Sequence, residues 1–270
     1  MSPNSTSTVI GSSSADGGRA RAIGRLIGLT AWTATGFTTL ALGTLLVAPI
    51  APARRAVRRK VLRVWATGVT WLLNVRVAVE GAVPDAPFFL VSNHLSYLDI
   101  VVYAASMPAR FVAKREVRRW PGLGLLARAA GTIFIDRESK RDAVRVLDDL
   151  SRAVREGDGV VVFAEATSTP GHRVLPFRPA LLEWAARNGH PVYYASIGYR
   201  TPTQGVPAHL AVCWWGDMTF GAHLIGLCRL PWVEATIRTG DAPITERDRK
   251  RLADRLHRAV SEQFIPVVTE

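Results

Sequence analysis

From Leu26 to Ala53 the chain carries no charged residue. The run LIGLTAWTATGFTTLALGTLLVAPIAPA exceeds the roughly 20 apolar residues that cross a bilayer core as a helix. Arg54, Arg55, Arg58, Arg59, Lys60 and Arg63 follow at once. Such a block beside an apolar run predicts a membrane anchor with everything after it on the cytoplasmic face. Near an anionic surface each of these cations adds about 1 kcal/mol of attraction. A cleaved signal peptide fits poorly, because the apolar stretch is too long and starts too far from Met1. The next stretch, Val61 to Val75, is mostly apolar with Trp65 and Trp71, as in an interfacial helix packed beside the first. Gly36, Gly43, Pro49 and Pro52 leave two forms open: a span, or a bent helix pair dipping into one leaflet. The expected organisation is a disordered tail over 1–20, polar and poor in apolar residues, an anchor over 21–78, and one α/β domain over 79–270.

The formal charge of +12 calls for an anionic partner: nucleic acid, anionic lipid or a phosphorylated substrate. Because the densest basic cluster abuts the apolar run and no nucleic-acid-binding motif is present, membrane lipids are the expected partner and nucleic acid is not. Cys213 and Cys228 stand apart in apolar stretches, so they read as buried small hydrophobes. The histidines beyond His94 show no metal-ligand spacing, and no metal is expected.

After Gly81, short apolar runs alternate with helical periodicity. Strands are expected at Phe88–Ser92, Thr132–Ile135, Val160–Phe163, Val192–Ile197, Leu210–Trp215 and Val233–Thr239. Helices are expected at Tyr97–Ser106, Ser139–Glu156, Ala180–Asn188 and Glu246–Gln263. In the second of these, Ala143, Val144, Leu147, Leu150 and Val154 suggest one apolar face. Alternating strands and helices predict an α/β domain with a mostly parallel central sheet flanked by helices, preceded by the membrane-anchoring helix or helix pair. Chemistry in such sheets sits in loops beyond the strand C-termini.

The first such loop reads Ser92-Asn93-His94-Leu95-Ser96-Tyr97-Leu98-Asp99. Five residues apart, His94 and Asp99 cannot share a helical face. With His94 in the loop and Asp99 in the following first turn, the chain can fold back and join them. Asp99 then holds one imidazole nitrogen and leaves the other to take a proton from an alcohol. The competing reading is that Ser96 and Asp99 simply cap the helix.

Two further blocks decide what the loop resembles. Gly131-Thr132-Ile133-Phe134-Ile135-Asp136-Arg137 and Phe163-Ala164-Glu165-Ala166-Thr167-Ser168 follow it in order, each at a strand end. Together the three resemble the N-H-x-x-x-x-D, G-x-x-F-x-D-R and F-P-E-G-T-R-S blocks of the 1-acylglycerol-3-phosphate acyltransferase (PlsC-like) family, over roughly Val79 to Ile244.

The resemblance implies transfer of an acyl group from a thioester to a lysolipid hydroxyl, most simply lysophosphatidic acid giving phosphatidic acid. His94 is then the general base and Asp99 its partner. The donor is a coenzyme A or acyl carrier protein thioester acting as co-substrate, with no further cofactor. Asn93, Gly131, Phe134 and Arg137 are placed around the substrate, with Arg137 on an anionic headgroup. Glu165 and Thr167 shape the acceptor site, and a carboxylate ending an apolar strand needs a partner, expected among Arg137, His172 and Arg173. The third block departs from the pattern: Ala166 stands at the Gly position and Ser168 at the phosphate-binding Arg. Arg173 and Arg178 nearby are candidates to compensate. The stretch Arg173-Val174-Leu175-Pro176-Phe177 resembles a subset that includes lyso-ornithine lipid acyltransferases, which makes that acceptor the alternative. A non-catalytic lipid-binding protein is a further alternative, disfavoured by the presence of His94, Asp99 and Glu165 together.

Overall fold

The computed structural model describes residues 9–120, 122–136 and 140–268. Helix α1 (Val9–Leu46) and helix α2 (Ala51–Leu73) form an antiparallel hairpin. Their close approach depends on Gly68, where a Cβ would lie 2.2 Å from the Trp32 indole nitrogen. Trp32 Nε1 donates to the Trp65 carbonyl at 2.9 Å and locks the register. The helix extends back to Val9, into the segment expected as a disordered tail; residues 1–8 lie outside the described residues. Once the apolar turns are formed, each added residue gains one bond for one residue fixed, so helix propagates outward.

Strands β1 (Val75–Glu80), β2 (Phe89–Ser92), β3 (Ala109–Lys114), β4 (Ile133–Ile135), β5 (Gly159–Phe163), β6 (Val192–Arg200) and β7 (Val233–Thr239) make a sheet in the order β1-β7-β6-β2-β5-β3-β4. Every pairing is parallel except β6 with β7. Helices α3 (Leu98–Ser106), α4 (Leu123–Ala129), α5 (Lys140–Arg155), α6 (Glu183–Asn188), α7 (Ala208–Ala211), α8 (Phe220–Arg229) and α9 (Arg249–Gln263) and the 3-10 turns Arg115–Arg119 and Pro179–Leu182 complete the described elements. Because successive strand residues face opposite ways, β2 sends Leu90 into one core with α2, α3 and α8, and Phe89 and Val91 into another with α5, α6 and α9. Both faces of the central strands are therefore covered, as a parallel sheet requires.

Several expectations need correction. Leu210–Trp215 is not a strand: α7 ends at Ala211 and the rest is loop, with Val212 and Cys213 fully buried beneath it. Strand β1 falls within the segment read as anchor, so the sheet begins at Val75. The buried face of α5 is Val146, Leu150 and Ala153, while Val144 is exposed. At 100° per residue, Val144 lies far around the axis from Val146. Both cysteines are free and buried.

The hairpin is bound into the domain at both ends. Ala66, Val69 and Leu73 of α2 belong to the first core. Arg58 and Arg59 bond the carboxylate of Asp158, which also takes Arg110 and has only 3% of its side chain exposed. At the other end, Arg25 of α1 donates to the Leu230 carbonyl at 2.5 Å, beyond the end of α8.

Candidate active site

Strands β2, β3, β4 and β5 run in one direction, so His94, Lys114, Asp136 and Glu165 all fall at the same edge of the sheet. The loop after β2 folds back as the spacing predicts. His94 Nδ1 lies 2.7 Å from Asp99 Oδ2. That oxygen also accepts the backbone N–H groups of Leu95 at 2.7 Å and Ser96 at 3.1 Å. The other, Oδ1, accepts the hydroxyl of Tyr199 from β6 at 2.7 Å. The capping reading and the catalytic one thus describe one arrangement: the carboxylate that reaches back to Ser96 also holds the imidazole. With Nδ1 facing a carboxylate, the proton belongs on Nδ1 and Nε2 is the basic nitrogen. Nε2 has no hydrogen-bond partner among the described residues, and the ring stacks on Phe163 at 4.2 Å.

His94 lies on the wall of a cavity of about 890 Å³. Phe37 and Leu40 of α1, Leu62 and Trp65 of α2, and Ile100 and Val101 of α3 give it an apolar lining. It extends from the strand C-termini at His94 to Arg58, beside the Asp158 cluster at the opposite end of the sheet.

A family model described as Acyltransferase matches residues 74–198. A lyso-ornithine lipid O-acyltransferase of Rhizobium meliloti (strain 1021) is 33% identical over 226 residues, covering 74% of this chain and 77% of that one. The chain belongs to the acyltransferase family. A protein of the same name from Brucella abortus (strain 2308) is 34% identical over 198 residues, covering 68% and 74%. A 1-acyl-sn-glycerol-3-phosphate acyltransferase of Neisseria meningitidis serogroup B is 30% identical over 202 residues, covering 72% and 76%. The fold matches the crystal structure of the acyltransferase PlsC from Thermotoga maritima, with a TM-score of 0.59 and 22% identity over 90% of this chain and 97% of that one. The chain is accordingly an acyltransferase acting on a lysolipid.

In this acyltransferase the expected site residues divide sharply. His94 and Thr167 line the cavity. Asn93 does not: it is buried, and its amide exchanges two hydrogen bonds with the backbone of Ile197, at 2.7 and 3.0 Å. It fixes the end of β2 to β6 and so positions His94. Gly131 and Phe134 also lie away from the cavity, on a smaller pocket at the sheet edge. Gly131 has φ +74°, and a Cβ there would meet the Arg58 guanidinium at 3.1 Å, so this glycine seats the anchor arginine. Arg173 and Arg178 are exposed and off the cavity wall. Arg137 lies outside the described residues. The described cations on the wall are Arg58 and Lys114, neither anticipated as a site residue. Lys114 was hidden because β3 was not recognised as a strand, and Tyr199 because only the fold brings it to Asp99.

Glu165 finds partners other than those expected. Its two oxygens accept the backbone N–H groups of His94 at 2.7 Å and Leu175 at 2.8 Å. The carboxylate therefore braces the loop that carries His94. Burial pushes its pKa up to about 7, against the pull of the two N–H donors and helped by the charge of Asp99. The folded protein then binds this proton more tightly than the unfolded chain, so stability falls as pH rises from about 4.5 to about 7. The Glu165 contribution amounts to about 3 kcal/mol across that window. Thermal unfolding of the protein and its Glu165→Gln variant over this range is expected to give curves that lie closest at the acid end and separate towards pH 7, where only the parent loses stability. Parallel curves would show that Glu165 does not titrate there.

Ala166, at the position where the family pattern has glycine, sits at φ +67°. A side chain in this left-handed region costs about 1–2 kcal/mol. Ala166→Gly is expected to raise stability by about 1 kcal/mol, read as a higher unfolding temperature; a lower one would mean that the methyl group's packing outweighs the strain.

Proposed function

We propose that His94 and Asp99 act as a general-base pair that transfers an acyl group from a coenzyme A or acyl carrier protein thioester to a lysolipid hydroxyl. His94 Nε2 takes the hydroxyl proton as the oxygen attacks the thioester carbonyl carbon. Collapse of the tetrahedral adduct breaks the carbon–sulfur bond, and the imidazolium returns the proton to the leaving thiolate. Asp99 stabilises the imidazolium, and its own charge is already held by two N–H groups and a tyrosine hydroxyl. A thioester is activated, so base catalysis and positioning suffice without a metal or further cofactor. The observation that carries this reading is the basic nitrogen of a carboxylate-held histidine opening on an apolar cavity walled by the hairpin. That cavity suits an acyl chain, being within the usual ligand range of about 300–1,000 Å³.

The hairpin is read as dipping into the cytoplasmic leaflet. Residues Gly17–Leu46 are long and apolar enough to cross a membrane. Arg58 is nonetheless tied to Asp158, and from Ala51 to Arg58 a helix rises about 10 Å. The tip can stand no farther than about that beyond the domain, well short of a roughly 30 Å hydrocarbon core. Leu42, Leu45, Leu46 and Ile50 around the tip are exposed, and the basic block lies at headgroup level.

For the acceptor we favour a zwitterionic lysolipid of the lyso-ornithine type. Ser168 donates its hydroxyl to the Trp214 carbonyl, and Arg173 and Arg178 stand off the cavity. Near the strand ends, the described charges on the wall are Lys114, Glu116 and Asp136. One cation against two carboxylates leaves this end with an excess of negative charge, where a phosphate monoester calls for excess positive charge. The ammonium of Lys114, which has no ion-pair partner among the described residues, is what favours the second reading, lysophosphatidic acid. Purified protein in detergent, given radiolabelled acyl thioester with each lysolipid in parallel, is expected to label ornithine lipid more efficiently than phosphatidic acid. Label in phosphatidic acid alone would establish the second reading, and label in neither would refute the function.

A further inference from the structure

On the wall of the cavity that holds His94, Trp214 meets two other aromatic rings at steep angles. The rings of Trp120 and Trp214 are 5.6 Å apart at 88°, and Tyr97 meets Trp214 at 5.7 Å and 69°. All three line the cavity. The corner is held in place: Trp214 receives the Ser168 hydroxyl on its carbonyl, donates its backbone N–H to Leu95 at 2.8 Å, and donates its indole N–H to Met218 at 2.7 Å. Ser168 thus stands where the family pattern carries a phosphate-binding arginine and instead secures a tryptophan wall.

The cavity wall also carries Lys114 and Glu116, two residues apart in sequence and both exposed. Among the described residues neither forms an ion pair, with the other or with any third group. These two opposite charges, without an ion-pair partner among the described residues, share the cavity wall with the aromatic corner. Trp120 is 37% exposed and contributes little to the core. Aromatic faces attract cations, most strongly when a carboxylate completes the site and water is partly excluded.

We propose that Trp120, Trp214 and Glu116 form the seat of a cationic ammonium on the acceptor headgroup. This rests on the acceptor reading given above and adds the residues that recognise it. The acceptor's hydroxyl then reaches His94 while its ammonium is held at the aromatic corner, so headgroup charge sets the pose of the reacting oxygen. Ser168 acts at one remove, as a positioning residue for Trp214.

The test uses full-length protein carrying His94→Ala, so that binding is read without turnover. Its affinities for lyso-ornithine lipid and for the same lipid with the side-chain amine acetylated are measured by calorimetry in detergent. Acetylation removes the charge and is expected to weaken binding about tenfold. Adding Glu116→Gln or Trp120→Leu is expected to weaken binding of the free amine by a similar factor and leave the acetylated lipid unaffected. Equal affinity for the two lipids, or equal losses for both in the variants, would overturn the proposal. The enzymatic reading is judged separately, with His94 intact. Turnover of lyso-ornithine lipid by Glu116→Gln at saturating acceptor, with KM unchanged, would leave the acyltransferase function standing and remove the ammonium seat.

Discussion

Replacing His94 with alanine is expected to lower kcat for acyl transfer by about 10³-fold or more, with the unfolding temperature nearly unchanged. The two outcomes separate because of how Asp99 is held. Removing a partner from a buried carboxylate usually leaves an uncompensated charge and a large loss of stability. Here the Leu95 and Ser96 N–H groups and the Tyr199 hydroxyl remain on Asp99 when the imidazole is gone. The ring itself lies on the cavity wall with 20% of its side chain exposed, so its loss enlarges an existing cavity and opens no sealed void. Steady-state kinetics and a thermal melt on the same preparation check both halves. Activity within tenfold of the parent would remove His94 as the base. A large fall in melting temperature would mean that the lost activity reports unfolding.

The largest expected effect on stability lies at the opposite end of the sheet. Asp158→Ala leaves Arg58, Arg59 and Arg110 without the carboxylate they share in a site where that group is nearly inaccessible. Breaking such a buried cluster costs about 3–5 kcal/mol. For a domain of this size that corresponds to a fall of about 10 °C in the unfolding temperature. The same change loosens the hairpin, so protease cleavage between α2 and β1 is expected to accelerate. A melt within about 2 °C of the parent would show that Glu156, which pairs with Arg55 and Arg110, suffices to hold the arginines.

What could be read in advance followed the range of the interactions. His94 and Asp99 meet through a loop five residues long, so their spacing and the helix period were enough to place them. The central strands were legible because runs such as Val160–Phe163 are apolar at every position, as burial on both faces demands. The apolar run Leu210–Trp215 has the same appearance, yet it is the end of α7 followed by a loop that buries Val212 and Cys213; short apolar runs do not distinguish the two. Strands β1 and β3 carry Arg76 and Arg110 within them and were passed over. Tyr199 reaches Asp99 from 100 residues away, and no local pattern announces it. The cations of the third block were sought in neighbouring sequence, at Arg173 and Arg178. The cavity draws Arg58 from the anchor and Lys114 from a strand end instead.

The sharing of the first core between α2 and the sheet has a consequence for how the protein is made. Residues of the hairpin precede every described strand, so during synthesis they leave the ribosome before the sheet that covers them. Ala66, Val69 and Leu73 then wait as an uncovered apolar stripe until β2 and α3 emerge to cover them. The sheet is therefore completed against a helix that emerged before it. A chain deprived of the hairpin lacks the floor on which its sheet is laid.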